Sequence, residues 1–208
     1  MNRPPGDEAS FGVRDLVYIA IFGALWGALE MTLGAYLHLL QAPFIGLLMG
    51  ALGLALALVG RLWVPRRGSV LMIGVVTALL KALGLGGVVL SPMLAILMET
   101  VLAEAALLAG GRASRGSFAL AGALGVLWNF FHPFLTQGII AGRSLGTVYG
   151  WVVEAGGRTL NLPLSAVWAI VGLLLALHLL AGGLAGGLAW SVGQAARRRV
   201  LAQEERTS

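Results

Sequence analysis

The chain contains no cysteine and few charged residues. Without cysteine it has no disulfide, no thiolate metal ligand and no thiol nucleophile. Only 11% of its 208 residues are charged, whereas about 25% is usual in soluble globular domains. Hydrophobic residues make up 58% of the chain, and the mean hydropathy is +0.89. This composition predicts an integral membrane protein.

The sequence also lacks the short motifs of several enzyme classes. It has no GxxxxGK[ST], HExxH or GxSxG motif, so we expect the chain not to hydrolyse ATP and not to be an enzyme. Ser91 and Ser165 are available to a serine–histidine hydrolase, but neither lies in a glycine-framed nucleophile motif. The net charge is +5, yet most arginines border apolar runs, which is typical of membrane topology rather than of nucleic-acid binding.

Apolar runs near the length of a membrane span dominate the chain. The first fifteen residues, MNRPPGDEASFGVRD, do not resemble a removable signal peptide, so we expect the first run to be retained. We predict an all-α membrane domain over residues 15–190, with a tail over 1–14 and a basic tail over 191–208. The six predicted transmembrane helices cover 15–38, 43–61, 69–85, 90–109, 117–141 and 162–190, of which the third is the shortest.

The longest connection between these runs covers residues 142–161. It is rich in glycine and polar residues, which favour a break in the helices. Its Tyr149, Trp151, Val152, Val153 and Glu154 indicate an ordered lid, and an interfacial loop anchored by aromatic side chains is the alternative.

Arginines are distributed unequally between the two predicted sides. Six spans place both termini on one side, and the positive-inside tendency identifies the arginine-rich side as cytoplasmic. Only Arg143 and Arg158 fall on the opposite side. The predicted cytoplasmic arginines are Arg3, Arg14, Arg61, Arg66, Arg67, Arg112, Arg115, Arg197, Arg198, Arg199 and Arg206.

Ionisable and polar side chains within the spans are candidates for a site, because such groups are rare at membrane depth. Glu104 and His178 lie toward the cytoplasmic side, and we interpret them as partners in hydrogen bonds between helices. The predicted outer-half residues are Glu30, Lys81, Glu99, His132 and Gln137.

The segment WNFFHPFLTQG places four polar residues on one arc. On an ideal helix Asn129, His132, Thr136 and Gln137 span about 140°, so they can face one interior space. Pro133 removes the backbone bond to the carbonyl of Asn129 and favours a kink. The alternative is that these side chains only bond neighbouring helices.

Glu99 is the strongest single candidate for a residue that contacts a ligand. An unpaired carboxylate at mid-membrane is protonated or requires a cation. Glu99 therefore contacts a cationic or hydrogen-bond-donating ligand, or it forms a structural ion pair with Lys81 or His132. Four aromatic residues offer stacking surfaces for a ligand ring or act as interface anchors: Trp128, Tyr149, Trp151 and Trp168.

Small residues recur at four-residue spacing in the first and last runs. Ala20, Ala24 and Ala28 form a smooth surface for close approach of another helix, with Gly23 and Gly27 alongside. In the last run Gly182, Gly183, Gly186 and Gly187 repeat this pattern, and we expect them to serve packing within the bundle.

Together these features resemble the substrate-binding S components of energy-coupling factor (ECF) transporters. The resemblance rests on length, six spans with cytoplasmic termini, the alanines at 20, 24 and 28, a long fifth connection, and a glycine-rich last helix ending in a basic tail. It implies a multi-pass protein of a prokaryotic cell membrane whose alanine surface meets a transmembrane T component. Two partner ATPase subunits would use ATP, and this chain would bind no cofactor or metal.

The resemblance also implies a vitamin-like ligand held in the outer half by the last three helices and the loops over them. Thiamine-binding members have an acidic residue on the fourth helix and a histidine on the fifth, to which Glu99 and His132 correspond. Tyr149, Trp151 and Asn161 match their residues around the fifth loop. Thiamine or its pyrimidine precursor is therefore favoured. The alternatives are a membrane scaffold or assembly protein, and a self-sufficient secondary transporter.

Overall fold

The computed structural model describes residues 11–41, 43–83 and 90–207, and every regular element in these ranges is helical. The predicted all-α class is confirmed for them. Short π-helical segments, Glu30–Gly34 and Phe134–Ile140, follow the first and sixth helices, and a 3₁₀ turn spans Leu164–Ala166. The α-helices are α1 (Val13–Leu29), α2 (Ala35–Leu39), α3 (Ile45–Trp63), α4 (Ser69–Ala82), α5 (Leu90–Ala109), α6 (Arg115–Pro133), α7 (Leu145–Leu160) and α8 (Val167–Thr207).

Five helical stretches are long and apolar enough to cross a membrane, which indicates a membrane protein. They are Val13–Leu39, Ile45–Trp63, Leu90–Ala109, Arg115–Ile140 and Leu164–Val200. The predicted third span corresponds to α4, which has 14 residues and is about 21 Å long, shorter than a hydrocarbon core of about 30 Å. The last part of that predicted span, residues 84–85, lies outside the described residues. The structure thus supports five spanning helices and leaves six as a prediction.

Most of the connection over residues 142–161 is a helix, α7, which the sequence analysis does not predict, and the predicted break in the helices is present on either side of it, before Leu145 and after Leu160. Ser144 caps the start of α7, because its hydroxyl accepts a hydrogen bond from the Thr147 N–H at 3.1 Å. Val148 and Val153 are buried on one face and offset the helix-weakening effect of the internal glycines. The helix ends where Asn161 adopts a left-handed conformation with φ of 54°.

Two further boundaries differ from the predicted domains. Helix α8 continues from Val167 to Thr207 without a break, so the basic segment after residue 190 is an extension of the last helix. At the other end α1 begins at Val13, and the rest of the predicted N-terminal tail, residues 1–10, lies outside the described part of the chain.

Glycines bring α6 and α8 into backbone contact. A Cβ atom on Gly122 would overlap the carbonyl oxygen of Gly182, and one on Gly186 would overlap that of Phe118. The packing role predicted for the glycines of the last helix is confirmed for Gly182 and Gly186. Gly183 and Gly187 have room for a methyl group, since their nearest neighbours would lie at 3.8 and 3.7 Å.

Glu104 of α5 forms hydrogen bonds with the backbone at the turn between α3 and α4. Its carboxylate accepts hydrogen bonds from the backbone N–H groups of Gly68 at 2.7 Å and Val70 at 3.0 Å. These are free donors at the start of α4, where the helix dipole also favours negative charge. Arg61 lies 3.7 Å from the same carboxylate and donates to Ser69 at 3.2 Å. Glu104 is therefore the satisfied partner between helices that its sequence position predicts.

Candidate functional site

A polar cavity of about 190 Å³ lies among the π-helical segment Glu30–Gly34 and helices α2, α3, α5 and α6. We call it the Glu99 cavity. It contains two carboxylates, two imidazoles, one amide and one hydroxyl in a largely apolar bundle. Its lining residues are Glu30, His38, Ile45, Gly46, Met49, Gly50, Ser91, Pro92, Ala95, Ile96, Glu99, Asn129 and His132.

Glu99 is only 3% exposed and has just one of its two oxygens paired. Its Oε1 accepts a hydrogen bond from Asn129 Nδ2 at 2.8 Å, while Oε2 is buried without a partner among the described residues. Gly50 makes this arrangement possible, because a Cβ at that position would overlap the Asn129 amide and lie 2.9 Å from Glu99 Oε1. A residue that lines the cavity therefore has one carboxylate oxygen without a hydrogen-bond donor in the described part of the chain.

His132, like Glu99, has only one of its two polar side-chain atoms in a hydrogen bond among the described residues. Its Nε2 lies 2.9 Å from the Ser91 hydroxyl oxygen, and its Nδ1 is buried with no partner in the described part of the chain. Leaving a buried polar group unpaired costs about 1–3 kcal/mol, so such atoms indicate strain or a missing ligand. Two of them, on Glu99 and His132, belong to residues that line one cavity.

Neither predicted ion pair of Glu99 forms. Lys81 Nζ instead lies 3.2 Å from Glu30 Oε2 and 3.4 Å from the Glu30 carbonyl oxygen, and His132 bonds Ser91. The interpretation of Lys81 as the cation for Glu99 is thus wrong. Because Lys81 neutralises Glu30, the cavity has one carboxylate with a cation and one with only an amide.

The predicted arc on α6 is interrupted at Pro133. After it the chain forms π-type bonds, such as the Ala141 N–H to the Thr136 carbonyl at 3.0 Å, and residues 134–140 leave the α-helical phase. Thr136 is buried and donates to the His132 carbonyl at 3.1 Å. Gln137 is exposed and is not among the lining residues. Asn129 and His132 alone fulfil the predicted arrangement.

The predicted aromatic and loop residues do not gather around Glu99. The Trp128 indole packs edge-on against the His132 ring at 6.3 Å, and its buried Nε1 has no partner among the described residues. The guanidinium of Arg143 lies 4.9 Å from the centre of the Trp151 ring. Trp168 is 83% exposed. Tyr149 is also exposed.

Asn161 belongs to a different depression, an open one on the surface. Its neighbours there are Glu154 and Arg158. Of the predicted ligand contacts, only Glu99, Asn129 and His132 line the Glu99 cavity.

Sequence reasoning missed two lining side chains, His38 and Ser91. His38 follows Glu30 by eight residues, which is about 80° apart on an ideal helix, so this spacing was a usable signal. The His38 Nδ1 lies 2.8 Å from the Gly34 carbonyl oxygen. Ser91 had no comparable signal, because its role depends on how α5 is rotated toward His132.

A second cavity of about 300 Å³ lies between α6, α7 and α8, and we call it the His178 cavity. Its walls are mostly carbon, from side chains that include Phe44, Phe130 and Leu174. His178 Nδ1 bonds the Leu174 carbonyl of its own helix at 2.7 Å, so the predicted bond to another helix is wrong. Asn129 lines both cavities.

The ECF resemblance places a ligand among the last three helices, whereas the Glu99 cavity is bounded mainly by earlier ones. Of these two cavities in the described part of the chain, the His178 cavity is the one that lies against α7 and α8. No protein-family model, curated protein or solved structure matches the chain.

In the ranges the structure describes, no group of three or more histidine and acidic side chains is placed to hold a metal ion. The Glu99 cavity presents carboxylate, imidazole, amide and hydroxyl groups, all of which form hydrogen bonds.

Proposed function

We propose that this chain is a membrane-embedded substrate-binding subunit that captures a small water-soluble molecule in the Glu99 cavity. The observation that carries the proposal is the buried, unpartnered Oε2 of Glu99. A ligand with an N–H or cationic group would satisfy this oxygen, and a second polar group would satisfy His132 Nδ1. Binding would then recover the free energy that is lost because these buried atoms have no hydrogen-bond partner among the described residues.

The proposed ligand is thiamine or its pyrimidine precursor. An aminopyrimidine presents an amino donor next to a ring acceptor on one flat edge. This pattern complements the paired carboxylate of Glu99 and amide of Asn129. The cavity volume of about 190 Å³ is smaller than the roughly 300–1,000 Å³ of typical small-molecule sites. Of the two proposed ligands, this volume favours the pyrimidine precursor, which has one ring, over thiamine, which has two.

The proposed topology is a six-helix bundle in a prokaryotic inner membrane with both termini in the cytoplasm. Three arginine groups lie toward one end of the bundle, which supports this orientation. Gly193 of α8 packs against Leu62 beside Arg61, and a Cβ atom on Gly187 would lie 3.7 Å from the Arg115 Nε. The run from Arg197 to Arg199 follows on α8. Ligand would then enter from the opposite, outer side.

The proposed partners are an ECF T component and two ATPase subunits, docked on the alanine surface of α1. Ala20, Ala24 and Ala28 are all exposed. Gly23 and Gly27, by contrast, pack against Val76 and Leu80 of α4. The two sets of small residues thus have different neighbours, and the alanine surface is open to a helix of another protein.

Replacing Ala24 by tryptophan should abolish transport in the assembled complex and leave ligand affinity unchanged. The bulky side chain blocks close approach of a partner helix and is remote from the Glu99 cavity. Transport in cells and ligand binding by the purified chain are the two measurements.

Leu25→Trp is the matched control, since Leu25 is 50% exposed and lies about 100° around the helix from Ala24. It should transport normally. Normal transport by Ala24→Trp would refute the docking surface.

A thermal-stability screen of the purified chain tests whether it binds a small molecule. A thermal-stability screen with thiamine, its pyrimidine precursor and other water-soluble vitamins should give stabilisation by one compound, because a ligand that binds only the folded state raises the melting temperature. No stabilisation by any compound, and no co-purified small molecule, would favour a scaffold protein. Uptake by the chain alone in liposomes would favour a secondary transporter.

A further inference from the structure

The Glu99 cavity and the His178 cavity share one lining residue. Asn129 lines both, and its amide lies against the bare backbone of Gly50 on α3. Its only hydrogen bond in the described residues runs from Nδ2 to Glu99 Oε1 at 2.8 Å. A ligand that bonds both the Glu99 carboxylate and the Asn129 amide would turn the Asn129 side chain toward itself and change the boundary between the two cavities.

The two cavities differ in chemistry. The Glu99 cavity presents acceptors, including the free Oε2. The His178 cavity is walled by rings and aliphatic groups, with Phe130 lying edge-on to the His178 imidazole at 6.0 Å. Because the Leu174 carbonyl can only accept, His178 Nδ1 is the donor in their bond, and a neutral ring leaves Nε2 as an acceptor.

Phe44 lies where the two cavities approach each other and has a strained backbone. Its φ of 56° falls in the left-handed region, which is unfavourable for a bulky residue. The Phe44 side chain lines the His178 cavity, and the next two residues, Ile45 and Gly46, line the Glu99 cavity. Such strain is commonly found at ligand sites.

We infer that the two cavities form one two-part site, which Asn129 divides in this structure. Its ligand would have a hydrogen-bond-donating or cationic ring for Glu99, joined to a flat apolar group that lies beside Phe130 and His178. The volumes support this, since about 190 Å³ is below the usual range for a ligand site, whereas the addition of about 300 Å³ brings the site within it. The inference rests on the proposed function, because it assigns the polar part of the ligand to Glu99.

A matched pair of compounds tests the inference: 4-aminopyrimidine, and the same ring with a benzyl substituent. The benzyl compound should bind the purified wild-type chain about 10-fold or more tightly than the parent, because its ring buries apolar surface in the His178 cavity. Equal affinities would overturn the two-part site and leave the proposed function standing. Stabilisation by a vitamin of the screen while neither compound binds would overturn the two-part site alone, whereas no binding of any of these compounds would overturn both proposals.

Variants that fill one cavity locate the two parts. Ala155→Phe, in the His178 cavity, should remove the gain from the benzyl group and keep the affinity for 4-aminopyrimidine within about twofold. Ala95→Phe, in the Glu99 cavity, should weaken both compounds. Ala176→Phe on an exposed position of α8 is the matched control and should change neither affinity.

Smaller substitutions test the two-part site if the phenylalanine variants do not fold. Thr159→Leu also narrows the His178 cavity. Gly46→Ala narrows the Glu99 cavity and adds a methyl group at an ordinary 3.6 Å from Asn129 Oδ1. A benzyl gain that persists in folded Ala155→Phe and Thr159→Leu would show that the apolar group lies elsewhere.

Discussion

Glu99→Gln should weaken binding of a cationic or amino-bearing ligand by roughly 10-fold to 150-fold, which corresponds to about 1.5–3 kcal/mol. Glutamine keeps the shape of the side chain and an oxygen for the Asn129 amide, but it removes the charge that the ligand meets. The folded state without ligand should be as stable as wild type or more stable, because the carboxylate has no cation in the described residues and Lys81 pairs with Glu30.

Glu104→Gln is the control for this substitution. It makes the same chemical change at another buried carboxylate of α5, and it should lower the melting temperature without altering affinity. Isothermal titration and thermal unfolding of both variants give the comparison. A Glu99→Gln protein that loses stability but binds normally would make Glu99 a structural residue.

Glu104→Ala should lower the free energy of unfolding by about 3–5 kcal/mol, the usual cost of removing one partner of a buried ion pair. The change leaves Arg61, whose side chain is 16% exposed, without its carboxylate. It also removes the acceptor of the Gly68 and Val70 N–H groups at the start of α4. Chemical or thermal unfolding in a fixed detergent measures the loss.

Glu154→Ala provides the reference, because Glu154 is an exposed carboxylate on α7 and its removal should cost no more than about 0.5 kcal/mol. Equal stabilities of Glu104→Ala and Glu154→Ala would show that the bonds of Glu104 make no net contribution.

Much of the helical framework follows from the lengths of the apolar runs. The predicted segment 90–109 coincides with α5, and 43–61 lies within two residues of α3 (Ile45–Trp63). Both runs are bounded by glycine, proline or charged residues, so the local signal and the tertiary structure agree. Helix α7 was missed because its glycines argue locally for a break, while burial of Val148 and Val153 becomes visible only in the folded bundle.

The site could be predicted only in part. Depth in the membrane selected Glu99, Asn129 and His132, which do line one cavity. The partner of each ionisable side chain depends on how the helices are rotated, which the sequence does not reveal, so Lys81 was one of the alternatives considered for Glu99 although it pairs with Glu30. Gln137 was misplaced because the π-helical segment after Pro133 changes the angle between successive side chains, which an ideal 100° step does not capture.

Helix α8 extends far beyond its closest contact with α6. Its tightest contact with α6 is at the glycines around Gly186, and from there to Thr207 the helix extends about 30 Å. If the crossing angle between α6 and α8 changed by about 5° at the glycine contact, the C-terminal end of α8 would move by about 3 Å. Because α6 also carries Asn129 and His132, a slight adjustment around an occupied cavity would be magnified at the opposite end of the protein.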